Sequence, residues 1–232
     1  YERDADVTLH LVRVGDARAF GSVPTDEDGT VLAFLEKTED PPTDQINAGT
    51  YVFKREIIDR IPRGREVSVE REVFPGLLAS GAKVCGFVDS SYWRDMGTPD
   101  DFVHGSADLV RGVAPSPALG SRRGESLVHD GASVAPGAVL LGGTVVGRGA
   151  EIGPGVRLDG AVIFDGARIE AGAAVERSII GSGARVGLRA RIRDAVIGDG
   201  ADIGARCELL RGARVWPGVF IPDCGIRYSS DI

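Results

Sequence analysis

The chain has 232 residues and a formal net charge of −7, with 43% hydrophobic and 26% charged residues. That balance is ordinary for a folded globular protein and excludes a disordered chain. The acidic charge argues against a general nucleic-acid or membrane-surface binder, no apolar run is long enough to span a bilayer, and no signal-peptide pattern opens the chain. In chain order, the β-branched run at 7–14 predicts a first strand, and 31–35, 45–53 and 83–88 predict three more. A helix is expected over 54–61, with Ile57, Ile58 and Ile61 on one face, and another over 68–79, with Ser68 as N-cap and a break or kink at Pro75. The clearest helix start is Thr98-Pro99-Asp100-Asp101: a capping threonine, proline in the first turn, and Asp101 where a capping box places an acid. Val103, Ala107 and Val110 then form its apolar face.

Residues 112–126, rich in Gly, Pro and Ser, read as a linker. From Val128 to Ile221 apolar residues recur in a series of seventeen, with thirteen spacings of six and three of five. Each five falls at the same place in a 17-residue repeat, whose copies begin at Thr144, Ala161, Ser178 and Ala195. That period suits neither a helix nor a half-buried strand. It fits a solenoid of triangular coils, each hexapeptide making one side, over 127–221. Glycines 147, 149, 153, 166, 181, 183, 198, 200 and 204 are expected at the corners, where positive φ is needed. The repeat resembles the hexapeptide-repeat, left-handed parallel β-helix, and the handedness is implied by that resemblance. His129 is the only histidine in the solenoid, so the coils read as a scaffold rather than an acyltransferase. The tail, 222–232, is expected to cap the last coil.

Cys85, Cys207 and Cys224 are odd in number, far apart and without metal-ligand spacing, which reads as free thiols and fits a reducing cytoplasm.

Four stretches before the linker invite a chemical reading: Phe20-Gly21, Glu36-Lys37, Asn47-Ala48-Gly49 and Trp93-Arg94-Asp95-Met96-Gly97-Thr98. Taken singly, each reads as strand-end, bulge or turn chemistry. Their order changes the reading. A strand with Glu-Lys, then Asn-Ala-Gly-x-Tyr, then Phe-Pro with a short helix, then Trp-x-Asp-x-Gly-Thr-Pro, resembles the sugar-nucleotide pyrophosphorylases. These enzymes join a nucleoside triphosphate to a sugar 1-phosphate, and many carry a left-handed β-helix after the catalytic domain.

The resemblance implies an α/β fold for 1–111, as the C-terminal part of a Rossmann-like nucleotidyltransferase domain, followed by the β-helix. It implies that Lys37 neutralises the sugar phosphate and that Glu36 and Asn47 hydrogen-bond sugar hydroxyls. Gly21 and Gly49 would let the backbone approach the sugar, and Asp95 would be one carboxylate ligand of a catalytic Mg²⁺. The wording of EKTEDPPTDQINAGTYVF and SYWRDMGTPDDF is most similar to members that join GTP to mannose 1-phosphate. Relatives pairing glucose 1-phosphate with dTTP, UTP or ATP, and a non-catalytic regulatory subunit, are the alternatives. A homo-oligomer is expected from the solenoid.

The family's glycine-rich loop, GGxGTRLxP, has no match here, and neither has the strand bearing its second metal-binding Asp. With Tyr1 in place of a starting Met, this sets two expectations: a piece of a longer enzyme, and no pyrophosphorylase activity from this chain alone. Residues 1–111 would then leave part of a sheet uncovered.

Overall fold

The computed structural model describes residues 3–35, 37–120 and 123–225, and the chain divides into two compact units, Tyr1–Trp93 and Arg94–Ile232. The linker expected at 112–126 lies within the second of these units, after the helix that follows Trp93.

In the first unit, β1 (Val7–Arg13) lies at the centre of a three-stranded sheet, antiparallel to β2 (Gln45–Phe53) and parallel to β3 (Val84–Asp89). Val7, Leu9 and Leu11 alternate along β1 and are fully buried, as period-two patterning requires of a strand with a covered face. Ile57 from the single turn α1 (Arg55–Ile58), and Phe74 and Leu77 from α2 (Phe74–Ala79), pack on them. Phe74 is the hub, stacked on Phe34 at 4.8 Å between ring centres and edge-on to Tyr51 at 5.0 Å. β2 and β3 are the outer strands, and Val52 and Phe87 stay 68% and 62% exposed, the uncovered apolar surface that a partial sheet predicts.

One local expectation is corrected. Residues 31–35 form no strand. Their N–H groups are divided between two segments, Val31 to the Val84 carbonyl and Leu32 and Leu35 to Pro24 and Ser22, and only isolated bridges form. The helix expected over 68–79 is broken just before Pro75, where α2 begins at Phe74 with Pro75 in its first turn. The irregularity lies upstream, in a five-residue π turn, Val69–Val73, closed by the Phe74 N–H on the Val69 carbonyl.

In the second unit, α3 (Pro99–Arg111) starts with the expected capping box. The Asp101 N–H donates to Thr98 Oγ1 at 3.1 Å and the Thr98 N–H to Asp101 Oδ2 at 3.2 Å. It ends on Gly112 in the left-handed region, φ 72°. Its buried face, Val103, Ala107 and Val110, lies on the coils. A Cβ at Gly143 would stand 2.5 Å from the Ala107 Cα, so that glycine is what lets helix and coil approach.

The solenoid runs from Ser126–Val128 to Phe220–Ile221 as three parallel sheets of six, six and five strands, consistent with the left-handed β-helix. The period-six residues form its core: Val146, Leu158, Val175, Ile180, Val186, Ile197 and Ile203 are fully buried. The first two of the series, Val128 and Val134, stay 42% and 39% exposed, because they belong to the end coil, with a neighbour on one side only. A second inward column of small residues, among them Ala150, Ala167, Ala184 and Ala201, fills the space beside the corners.

The corner glycines divide into two kinds, which corrects the single role expected of them. Gly149, Gly166, Gly183 and Gly200 do have positive φ, 63–68°. Gly147, Gly153, Gly181, Gly198 and Gly204 do not; a Cβ there would come within 2.4–2.9 Å of the neighbouring coil. These are glycines of close approach. At Gly147 and Gly181 the space is taken by Asp165 and Asp199, whose carboxylates accept the N–H of Arg148 and Ser182 one coil back.

Cys85 and Cys207 are buried, Cys224 is exposed, and all three are free thiols. Pro222 to Gly225 continue past the last strand; the rest of the expected capping tail, 226–232, lies outside the described residues. Among the described residues no helix is long and apolar enough to cross a membrane.

Candidate functional site

A cleft of about 160 Å³ in the first unit gathers three of the residues that the sequence singled out, Gly21, Lys37 and Asn47. Phe34 and Leu35 give it an apolar side, and Glu70 and Arg71 line it as well. The last two were not singled out in the sequence, where 68–79 read as a helix capped by Ser68. Ser68 does cap that start, accepting the Arg71 N–H at 3.2 Å. The π turn then carries Glu70 and Arg71 to the cleft.

Asn47, Ala48 and Gly49 form a bulge. Leu9 pairs with Tyr51 and Leu11 with Asn47, so β2 uses four residues where β1 uses two. Gly49 takes φ +83°, and a Cβ there would meet nothing, so its glycine answers to backbone conformation. Gly21 has the opposite reason. A Cβ on it would stand 2.9 Å from the Leu35 carbonyl oxygen, across the paired N–H···O bonds of Ser22 and Leu35. The bulge is held from behind by Trp93, whose indole N–H donates to the Ala48 carbonyl at 3.3 Å and whose ring meets Phe20 edge-on at 5.8 Å.

The Asn47 side chain is fully engaged as a donor. Its amide nitrogen donates to the Tyr51 hydroxyl at 2.7 Å and to Glu70 Oε1 at 2.6 Å, and its oxygen accepts the Gly49 N–H at 3.0 Å. Burial pushes the Tyr51 phenol above its usual range, so it stays neutral at physiological pH. Lys37 is exposed and makes no ion pair with a described residue. Two cations and one carboxylate therefore face the cleft, an arrangement that suits an anion carrying hydroxyl groups.

Glu36 lies outside the described residues. Asp95 belongs to the second unit, exposed on the segment that leads to the Thr98 cap. Beside it, Met96 packs where a Cβ on Gly105 would lie, and Arg94 reaches Asp108 at 3.1 Å. As a cation site the donor set is incomplete: Asp95 is a hard oxygen ligand, but no group of three or more possible ligands occurs among the described residues. His129, half-buried on the first coil, joins the backbone ladder through its N–H to the Val146 carbonyl.

Residues 1–112 match the nucleotidyl transferase family, and residues 122–230 match the GMPPB C-terminal domain. The chain is 80% identical over 229 residues to the mannose-1-phosphate guanylyltransferase of Mycobacterium tuberculosis, covering 98% of this chain and 64% of that protein. It is 32% identical over 159 residues to the probable mannose-1-phosphate guanylyltransferase 3 of Oryza sativa, covering 66% of this chain and 44% of the relative. To the mannose-1-phosphate guanylyltransferase catalytic subunit beta of Drosophila pseudoobscura it is 34% identical over 98 residues, covering 42% and 26%. The chain thus spans less than two thirds of the length of these relatives.

Proposed function

We propose, from the premise that this chain joins a nucleotidyl transferase domain to a GMPPB C-terminal domain, that the complete protein transfers a guanylyl group from GTP to mannose 1-phosphate. The observation that carries this reading is the 80% identity, across nearly the whole chain, to a mannose-1-phosphate guanylyltransferase. In the reaction a phosphate oxygen of the sugar 1-phosphate bonds to the α-phosphorus of the nucleotide, and the bond to the β-phosphate breaks to release pyrophosphate. Two anions must meet, so the enzyme's task is charge neutralisation and alignment.

The cleft of the first unit is the sugar 1-phosphate site in this reading. Lys37, without an ion pair among the described residues, takes the phosphate, and the sugar ring lies against Phe34 and Leu35. Gly21 and Gly49 hold the walls in place by the close approach and the left-handed turn described above. Glu36 belongs to the sugar side by its resemblance to the family. Asp95 contributes one oxygen ligand to Mg²⁺, which when bound offsets phosphate charge. A homo-oligomer built on the solenoid and a cytoplasmic location belong to the same reading.

Pyrophosphate release by the complete protein, with Mg²⁺, over a panel of nucleoside triphosphates and sugar 1-phosphates, tests it. Preference for GTP with mannose 1-phosphate is the expected result. Preference for glucose 1-phosphate with another nucleotide would replace the substrate, and no release with any pair would favour a regulatory, non-catalytic protein.

A further inference from the structure

We infer that Arg94 and Met96 are positioning residues that fasten the Asp95 carboxylate to α3, and through α3 to the solenoid. The inference rests on the reading in which Asp95 serves the transfer reaction.

The register of α3 gives it two seams. Val103, Ala107 and Val110, spaced at one helical turn, lie on the coils. Asp101, Gly105 and Asp108 have the same spacing and form a second stripe on the helix. Residues 94–96 lie along that stripe, so α3 stands between them and the solenoid.

Arg94 spans the stripe. Its Nε and Nη2 donate to Asp108 Oδ2 at 3.3 and 3.1 Å, and its Nη1 stands 3.9 Å from Asp101 Oδ1. The two acids are about two helical turns apart, and one planar guanidinium braces the helix at both. The side chains of Arg94 and Asp108 are 33% and 22% exposed, so the pair is less screened than one on open surface. Asp101 gives its other oxygen to the cap, accepting the Thr98 N–H and hydroxyl at 3.2 and 2.6 Å. Met96 fills the middle of the stripe: a Cβ on Gly105 would overlap its Cε and stand 2.8 Å from its Sδ.

Asp95 sits between these two anchors. Its carboxylate lies against Gly97, with its oxygens 3.4 and 3.5 Å from where a Cβ there would be, and no described residue bonds it. A held backbone with an unclaimed carboxylate presents its oxygens at a fixed place. The line of contact continues to the coils, because Ala107 abuts Gly143 so closely that no side chain fits between them. The solenoid is thereby the footing of Asp95.

The test uses the complete enzyme. Arg94→Met is expected to lower kcat about ten- to hundredfold, the cost of a small misplacement of a reacting group, while KM for GTP and for mannose 1-phosphate stays within about twofold. Arg94→Lys, which keeps the charge without the planar fork, should recover part of the loss. Gly143→Ala, which lifts α3 from the coil, should lower kcat in the same way. Gly183→Ala, at a corner where a Cβ meets nothing, should leave kcat unchanged. Without substrates or metal, trypsin should cut the bond after Arg94 about fivefold faster in Gly143→Ala than in wild type, as Arg94 leaves Asp108. Should Gly143→Ala fail to fold, Gly105→Ala, which displaces Met96 from the helix surface, takes its place. An Arg94→Met enzyme with unchanged kcat, or a coil variant that loses stability while kcat and cleavage after Arg94 stay as in wild type, would overturn the inference. An Asp95→Asn enzyme with wild-type kcat would instead remove the role of Asp95 on which it rests.

Discussion

The two kinds of corner glycine make a prediction that separates steric contact from backbone conformation. In Gly181→Ala the new methyl would stand 2.5 Å from Asp199 Oδ1, 2.6 Å from the Asp199 nitrogen and 2.7 Å from the Gly198 carbonyl carbon. Relief requires moving the coils apart, but they are tied there by the Gly181 N–H on the Ile197 carbonyl and the Ser182 N–H on Asp199, both at 2.8 Å. Overpacking of about 1–3 kcal/mol, with weakening of a bond of about 1 kcal/mol, gives an expected loss of about 2–4 kcal/mol. In Gly183→Ala the methyl meets nothing, and the whole cost is φ +64°, about 1–2 kcal/mol, partly offset by a stiffer unfolded chain. Arg189 and Arg206 already occupy positive-φ corners at 55° and 57°, so the fold bears that cost elsewhere. Urea unfolding of the 232-residue chain, followed by circular dichroism, reads both variants. Asp199→Ser should restore part of the Gly181→Ala loss, since Phe164 occupies the equivalent corner where the next coil carries Ser182. Equal losses for the two alanines, or a larger one for Gly183→Ala, would refute the assignment of Gly181 to close approach.

If the cleft takes the sugar 1-phosphate as proposed, Lys37→Met in the complete enzyme should raise KM for the sugar 1-phosphate about ten- to hundredfold and leave KM for GTP within twofold; equal increases for both substrates would place Lys37 elsewhere. The Asp16 carboxyl is lowered to about 2 by its hydrogen bonds from the Arg18 side chain and N–H. A depressed carboxyl favours the folded turn above its unfolded value and loses that contribution as pH falls toward 2, so an NMR titration should find the Asp16 midpoint well below those of other exposed aspartates, and Arg18→Ala should return it to the ordinary range. The 232-residue chain by itself should release no pyrophosphate above background with GTP and mannose 1-phosphate, and a burst of release proportional to enzyme would count against the assignment of the missing phosphate-binding loop to another segment.

The regular parts of this chain were legible because their signals are local. Alternation along 7–13, the run 45–53, and the threonine cap at 98 each specify an element without reference to distant residues. The solenoid was legible because its period repeats, and the inward column follows from it. What escaped depends on which segment lies opposite. Residues 31–35 have strand composition, yet their backbone bonds scatter to Val84, Pro24 and Ser22, which no local pattern encodes. Glycines 147 and 149 look alike in the sequence, and only the position of Asp165 on the next coil distinguishes the crowded corner from the left-handed one. Glu70 and Arg71 followed a recognisable cap, but the extra residue of the π turn, which sends them to the cleft, leaves no trace in hydrophobic spacing.

The candidate site adds a point about how motif residues and ligand residues differ. Gly21 serves the close approach of the Leu35 carbonyl, Gly49 serves a left-handed turn, Trp93 pins the Ala48 carbonyl, and Asn47 has its donors committed to its neighbours. All four are prominent in the sequence, and each is accounted for by a partner within the protein. Among the described residues, Lys37 and the outer oxygen of Glu70 are charged groups of the cleft with no such partner. A charge left without a partner beside a rigid, fully bonded frame is poised to bind, because the frame has already met the entropic cost of holding it in place. On that reasoning the recognisable glycines and the asparagine mark where the site is built.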